Sequence, residues 1–339
     1  MSDPREKLIP SWLWGAAGVV VAVLVVLLLV GNRHPEPSEA FRYEVARFQE
    51  VDPSQVIFRE TGKLTPGLEH LTALAVGPDE KVYVVGDKEI VVYDLDGAEL
   101  ARLDLARTPD CVAVASDGDI LLGMRSHIEV IDDAGSTKSV WGDLGERSYI
   151  TSIAVDEDEA YAADAGQRVV LRFDRSGQLL GRIGEEDAAR DIPGFIVPSP
   201  YFDVAFDPQG SLWAVNPGRH GLENYRANGD LVSSWYRPAI DASGFCGCCN
   251  PSHIAFRGNG SLVTTEKGLA RVKLYSPDWR LLGFVAAPSA FEEVPAGALS
   301  CEVETPLVDL AVDQRGRVLV LDARQRTVRI FEAIEKEAV

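Results

Sequence analysis

The chain has 339 residues, of which 52 are Asp or Glu and 33 are Lys or Arg, giving a net charge of −19. Such an excess of negative charge argues against nucleic acid as a ligand and against docking on an anionic lipid surface. It reads as the water-facing surface of an acidic domain, and the length suits two domains or one long all-β domain.

Residues 1–9 form a short polar tail. From Leu8 to Asn32 no charged residue occurs, and Trp12–Val30 is apolar almost throughout. Such a run, at roughly 1.5 Å per residue, crosses a hydrocarbon core of about 30 Å with some tilt. Residues 10–31 are therefore expected to form a single transmembrane anchor, with Trp12 and Trp14 at an interface. The run is long for a signal-peptide core, and Leu29-Val30-Gly31 is a poor cleavage site. Arg5 and Lys7 precede the span while Arg33, Arg42 and Arg47 follow it, so basic charge hardly sets the orientation. A large domain behind one N-terminal span usually follows it across, which puts the domain outside the cytoplasm, on the periplasmic side in a bacterium. Residues 32–48, with His34–Ala40 (HPEPSEA), make a tether.

The domain, residues 49–334, is organised by a repeat. Leu74-Ala75-Val76, Val112-Ala113-Val114, Ile153-Ala154-Val155, Val204-Ala205-Phe206, Ile254-Ala255-Phe256 and Leu310-Ala311-Val312 share one pattern, with alanines 38, 41, 51, 50 and 56 residues apart. A polar turn follows each copy, such as Ser116-Asp117-Gly118, and then a second apolar run, such as Leu212-Trp213-Ala214. Short strands with turn chemistry at even spacing are the signature of propeller blades. The fold class is all-β, a six-bladed β-propeller. The last copy has only three strands, so the run at Val56-Ile57-Phe58 is expected to supply the fourth and close the ring. Residues 335–339 are a C-terminal tail.

A third strand follows in each blade, as in Ile90–Asp94, Val170–Asp174 and Val272–Tyr275. Units such as Asp164-Ala165-Gly166-Gln167-Arg168-Val169 and Asn216-Pro217-Gly218-Arg219-His220 resemble those of the NHL-repeat family, over roughly residues 50–333. The resemblance implies a six-bladed propeller. It leaves function open, since similar propellers serve as binding modules, sensors, lyases and lactone hydrolases.

Two residue sets carry chemistry. Cys246, Cys248 and Cys249 lie within four residues, in the connection from blade four to blade five; Cys301 lies in the next connection. In an antiparallel blade these connections share a face with the loops from strand two to strand three, so Arg219 and His220 belong to the same rim. Thiolates suit zinc, copper(I) or an iron–sulfur cluster, with Cys301 or His253 as a further ligand. A structural disulfide, for instance to Cys301, and an exchanging redox pair are the other readings. The second set follows from strand periodicity. The residue two before each repeat alanine points to the same side of the innermost strand and sits near that rim: Ala73, Cys111, Ser152, Asp203, His253 and Asp309. Cys111, Asp203, His253 and Asp309 are candidate metal or titrating groups at the channel mouth. The plainer reading is that the Asp and Ser side chains cap backbone N–H groups. No G-x-S-x-G, Walker or H-E-x-x-H motif occurs.

Two functional classes are compatible with these features. One is a membrane-anchored binding or scaffold module whose cysteine-bearing rim meets a partner protein in a redox or metal-handling system. The other is a metal-dependent lyase or hydrolase working at the channel mouth.

Overall fold

A computed structural model describes residues 51–239, 241–247, 249–268, 270–291 and 307–334. The expected anchor and tether, Cys248, Cys301 and the tail 335–339 lie outside the described residues. Among those described, no helix is long and apolar enough to cross a membrane.

Six four-stranded antiparallel sheets form the ring. Strand β1 (Phe58–Leu64) precedes the first blade, which is β2 (Leu71–Val76), β3 (Lys81–Gly86), β4 (Glu89–Asp94) and β5 (Glu99–Asp104). Blade two is β6 (Cys111–Val114), β7 (Ile120–Met124), β8 (His127–Ile131) and β9 (Thr137–Trp141). Blade three is β10 (Ile150–Val155), β11 (Glu159–Asp164), β12 (Val169–Asp174) and β13 (Leu179–Ile183). Blade four is β14 (Val204–Phe206), β15 (Leu212–Asn216), β16 (Gly221–Tyr225) and β17 (Leu231–Tyr236). Blade five is β18 (His253–Phe256), β19 (Leu262–Thr265), β20 (Val272–Tyr275) and β21 (Leu281–Ala286). Blade six is β22 (Leu307–Val312), β23 (Val318–Asp322) and β24 (Thr327–Ala333), completed by β1.

The N-terminal strand does close the ring. Phe58 lies opposite Ala333 and Leu64 opposite Val328, antiparallel to β24. Its position corrects the sequence reading, because only Phe58 of the Val56–Phe58 run belongs to it. Val56 instead bridges Phe284 of blade five, and the Ile57 N–H donates to the Phe284 carbonyl at 2.9 Å. Ile57 packs against the core between blades five and six, so that run is held by the seam rather than by the sheet.

Each core lies between two neighbouring blades. Blades four and five, for example, share Trp213, Val215, Leu222, Phe245, Ile254 and Tyr275. Second strands are buried on both faces, which is why β7, β15 and β23 read as continuous apolar runs. Outer strands such as β5 keep one face in water. Many acidic side chains cap turns: Asp94 Oδ1 accepts the N–H groups of Asp96 and Ala98, and Asp174 Oδ1 those of Ser176 and Gln178. Much of the negative charge is thus spent on local backbone.

Candidate functional site: the channel mouth and the cysteine rim

The six inner strands enclose a cavity of about 300 Å³ lined by the repeat alanines, with Cys111, Ser152, Asp203, His253 and Asp309 at one end. The same alanines also pack in the seams between blades, Ala113, Ala154 and Ala311 among the buried core residues. Both aspartates cap backbone, and each reaches into the next blade. Asp203 accepts the Ile254 N–H at 2.7 Å and the Val204 N–H at 2.9 Å. Asp309 accepts the Leu74 N–H at 2.9 Å and the Leu310 N–H at 2.8 Å, joining blade six to blade one. Ser152 Oγ accepts the Val204 N–H at 3.3 Å.

His253 is different. Its Nδ1 lies 3.8 Å from Asp309 Oδ1 and 4.0 Å from Asp203 Oδ2, while its Nε2 is buried without a hydrogen-bond partner. Tyr201 packs edge-on to its ring. Burial pulls the imidazole below its ordinary range against the opposing charge of Asp203. Burial raises Asp203, and burial together with the charge of Asp203 pushes Asp309 up to about 8. Burial, reinforced by Asp110, Asp309 and Asp203, lifts the Cys111 thiol well above the usual range. The mouth therefore holds weakly ionising groups, one of them a neutral imidazole.

Among the described residues, no group of three or more His, Cys, Asp or Glu could hold a metal ion. The physical reason is that both carboxylates are turned onto backbone N–H groups.

The rim loop is built by buried charge. Glu266, Arg271 and Lys273 are 0%, 2% and 0% exposed. Arg271 grips Glu266 with two hydrogen bonds, at 2.7 and 3.0 Å. Lys273 Nζ lies 2.8 Å from Glu266 Oε1 and donates to the carbonyls of Gly244 at 2.6 Å and Ala242 at 3.3 Å. Its ammonium also sits over the rings of Phe245 and Tyr275. Phe245 is itself packed against Trp235 and Tyr275. At the far end, Asn250 donates to the carbonyls of Cys246 (2.6 Å) and Lys267 (2.9 Å) and accepts the Lys267 N–H. Gly247 takes the left-handed backbone (φ 81°) that lets the chain turn between the cysteines.

Cys246 carries a free, half-buried thiol, and Cys249 is buried with the Ser199 hydroxyl 2.7 Å from its sulfur. Burial first, then the charge of Glu266, raises the Cys246 thiol. Arg219 and His220 share the rim but not the cysteine site. Arg219 donates to the Pro193 carbonyl at 3.3 Å, and His220 adopts a left-handed backbone with its Nδ1 buried and unpartnered. Sequence reasoning missed Glu266, Arg271 and Lys273. The one available signal was a Lys inside the apolar third-strand run Val272–Tyr275.

These features define a six-bladed β-propeller with a capped channel mouth and a charge-anchored cysteine loop. No family model matches the chain, and no curated protein matches it. Among solved structures, 1100 chains match, so the fold is common and by itself selects no activity. One of them, a streptogramin B lyase structure, superposes with a TM-score of 0.57 at 12% identity, covering 84% of this chain and 100% of that one. At that identity the likeness is one of fold alone.

Proposed function

We propose that the chain is an NHL-type propeller acting as a binding or scaffold module, which meets a protein partner through the rim carrying Cys246, Cys248, Cys249 and Cys301. Residues 10–31 tether it to a membrane, with the propeller on the extracytoplasmic side, in a redox or metal-handling system. The observation that carries this reading is the three-charge group beneath residues 242–250. Buried ions are costly to desolvate and are kept only where each finds its partners. Here the lysine among them grips the backbone of the loop that, among the described residues, presents a half-exposed thiol.

The test is to block free thiols in intact cells, recover the membrane fraction and look for a thiol-dependent complex of the chain. A discrete complex lost in Cys246→Ser or Cys248→Ser supports the reading; a chain that stays single in every variant overturns it. Metal analysis with thiol titration on the purified protein separates the redox version from the metal-handling one. Added protease should digest the propeller in intact spheroplasts, and protection there would reverse the orientation.

A lyase or hydrolase at the channel mouth is the second reading, favoured by the buried, unpartnered Nε2 of His253 facing a cavity of about 300 Å³. His253 would be its general base, oriented by Asp203 and Asp309. Its metal-dependent form lacks a three-ligand set among the described residues. An activity abolished by His253→Gln, with folding intact, would establish it in place of the binding role.

A further inference from the structure

Glu266, Arg271 and Lys273 bring two positive charges and one negative into a site where none is more than 2% exposed. Arg271 satisfies both oxygens of Glu266. The excess positive charge therefore resides on Lys273, whose three ammonium protons match three acceptors: Glu266 Oε1, the Gly244 carbonyl and the Ala242 carbonyl. A neutral amine has two N–H groups for those three acceptors and loses the strengthening that charge gives each bond. Of these acceptors, two are backbone atoms of the segment that presents Cys246.

We propose that Lys273 is a proton-operated clamp on the rim loop: its ammonium holds the Ala242 and Gly244 carbonyls and keeps Cys246 half-buried, and loss of one proton releases them and opens the thiol. This rests on the reading of the rim as the functional surface, but the clamp itself needs no partner to operate. Burial and the neighbouring Arg271 bring the lysine down to about 8, against the pull of Glu266 and Cys246. The other charged and titratable groups around it are Tyr275 on its own strand, and Arg237 and Asp241 on the connection. None of these replaces the two carbonyl bonds: the Tyr275 hydroxyl donates to the Ser243 carbonyl between them at 3.5 Å, Arg237 donates to Ser243 Oγ and Asp241 accepts from Ser243.

The experiment measures alkylation of Cys246 by iodoacetamide in the full-length protein, from pH 6.5 to 9.5, read by peptide mass spectrometry. Each rate is divided by that of the same thiol in urea, which removes the ordinary ionisation of cysteine. Lys273→Arg keeps the charge but cannot titrate in this range. It should match the wild type at pH 7 and stay about tenfold better protected at pH 9.5. Lys273→Met, which never holds the carbonyls, should be about five- to tenfold less protected than the wild type at pH 7. Superimposable curves for wild type and Lys273→Arg would overturn the proposal. If Lys273→Arg does not fold, equal protection of wild type and Lys273→Met at pH 7 overturns it instead. Because no partner enters the assay, this failure leaves the partner-binding reading to its own test.

Discussion

Asp309 closes the ring from the inside, and its titration should be visible as a loss of stability on the alkaline side of neutrality. Its carboxyl is pushed up to about 8 by burial and by Asp203, whereas in the unfolded chain an aspartate titrates near 3.9. The folded state thus holds a proton that the unfolded state has already lost, and stability falls as pH rises from about 4 to about 8. His253 acts in the opposite sense. Its lowered value makes stability rise with pH, but only up to the unfolded value of about 6.5. Lys273 departs from the unfolded chain only above about 8, and the Cys111 thiol only above its unfolded value of about 8.5. The interval from pH 6.5 to 8 therefore isolates the mouth carboxyls. Over about 1.5 pH units, at about 1.4 kcal/mol each, the wild type should lose about 2 kcal/mol. With an m-value of about 2 kcal/mol per molar urea, that is a midpoint shift of roughly 1 M. Asp309→Asn cannot titrate, and should lose less than about 0.5 kcal/mol over the same interval. Urea unfolding followed by tryptophan fluorescence at four pH values decides the matter. Parallel pH dependences for the two proteins would refute the reasoning.

Truncating Phe58 to Ala removes a 3% exposed ring from the seam of blades five and six on the closing strand, and should cost about 3–5 kcal/mol by urea unfolding. Asp164→Ala strips a fully buried carboxylate from the Ser148 hydroxyl, the Tyr149 and Gln167 N–H groups and the Gln167 amide, a loss of about 3 kcal/mol by the same assay. Arg329→Met should cost about 3–5 kcal/mol, because Asp322, 1% exposed and 3.7 Å from Arg329, would be left buried without its cation. Lys273→Met should cost only about 1 kcal/mol, since Glu266 keeps both hydrogen bonds from Arg271.

The ring was legible in the sequence because its strongest constraint is local. Each inner strand alternates a small and a branched residue between the cores on its two sides, as Val112 and Ala113 do, so the pattern recurs six times. The gathering of Cys111, Asp203, His253 and Asp309 was legible for the same reason, since a period of two fixes which side each faces. What they do there was not, because an aspartate capping a neighbouring strand and one facing a ligand look identical in a sequence. The closing strand was placed a few residues early, because the β-prone Val56-Ile57 pair packs in a seam that has no periodicity of its own. The clamp was invisible for a different reason: Glu266 just past β19 meets Lys273 of β20, and charges in such positions normally read as a solvated face.

The strand registers connect these buried charges to the shape of the rim. Leu212 pairs with Tyr225, Leu262 with Tyr275 and Val318 with Phe331, which aligns Glu223, Lys273 and Arg329 at one position of the third strand. Blades one and three carry Val91 and Leu171 there, and blade two a part-exposed Glu129. Blades four, five and six are the ones entered by the longer connections, 184–203, 237–252 and 287–306, against 65–70, 105–110 and 142–149 for the others. Each buried charge secures its own connection. Glu223 holds Asn216, which donates to the Gly194 carbonyl and accepts the Ile196 N–H. Lys273 holds Ala242 and Gly244, and Arg329 donates to the Ala290 carbonyl at 2.6 Å. Connection carbonyls that no strand pairs need other donors, and a buried donor or bridging amide satisfies them where an apolar residue would not. These same three connections deliver Asp203, His253 and Asp309 to the channel mouth. Three buried charges at one strand position thus tie the cysteine rim and the mouth residues Asp203, His253 and Asp309 to the same half of the ring.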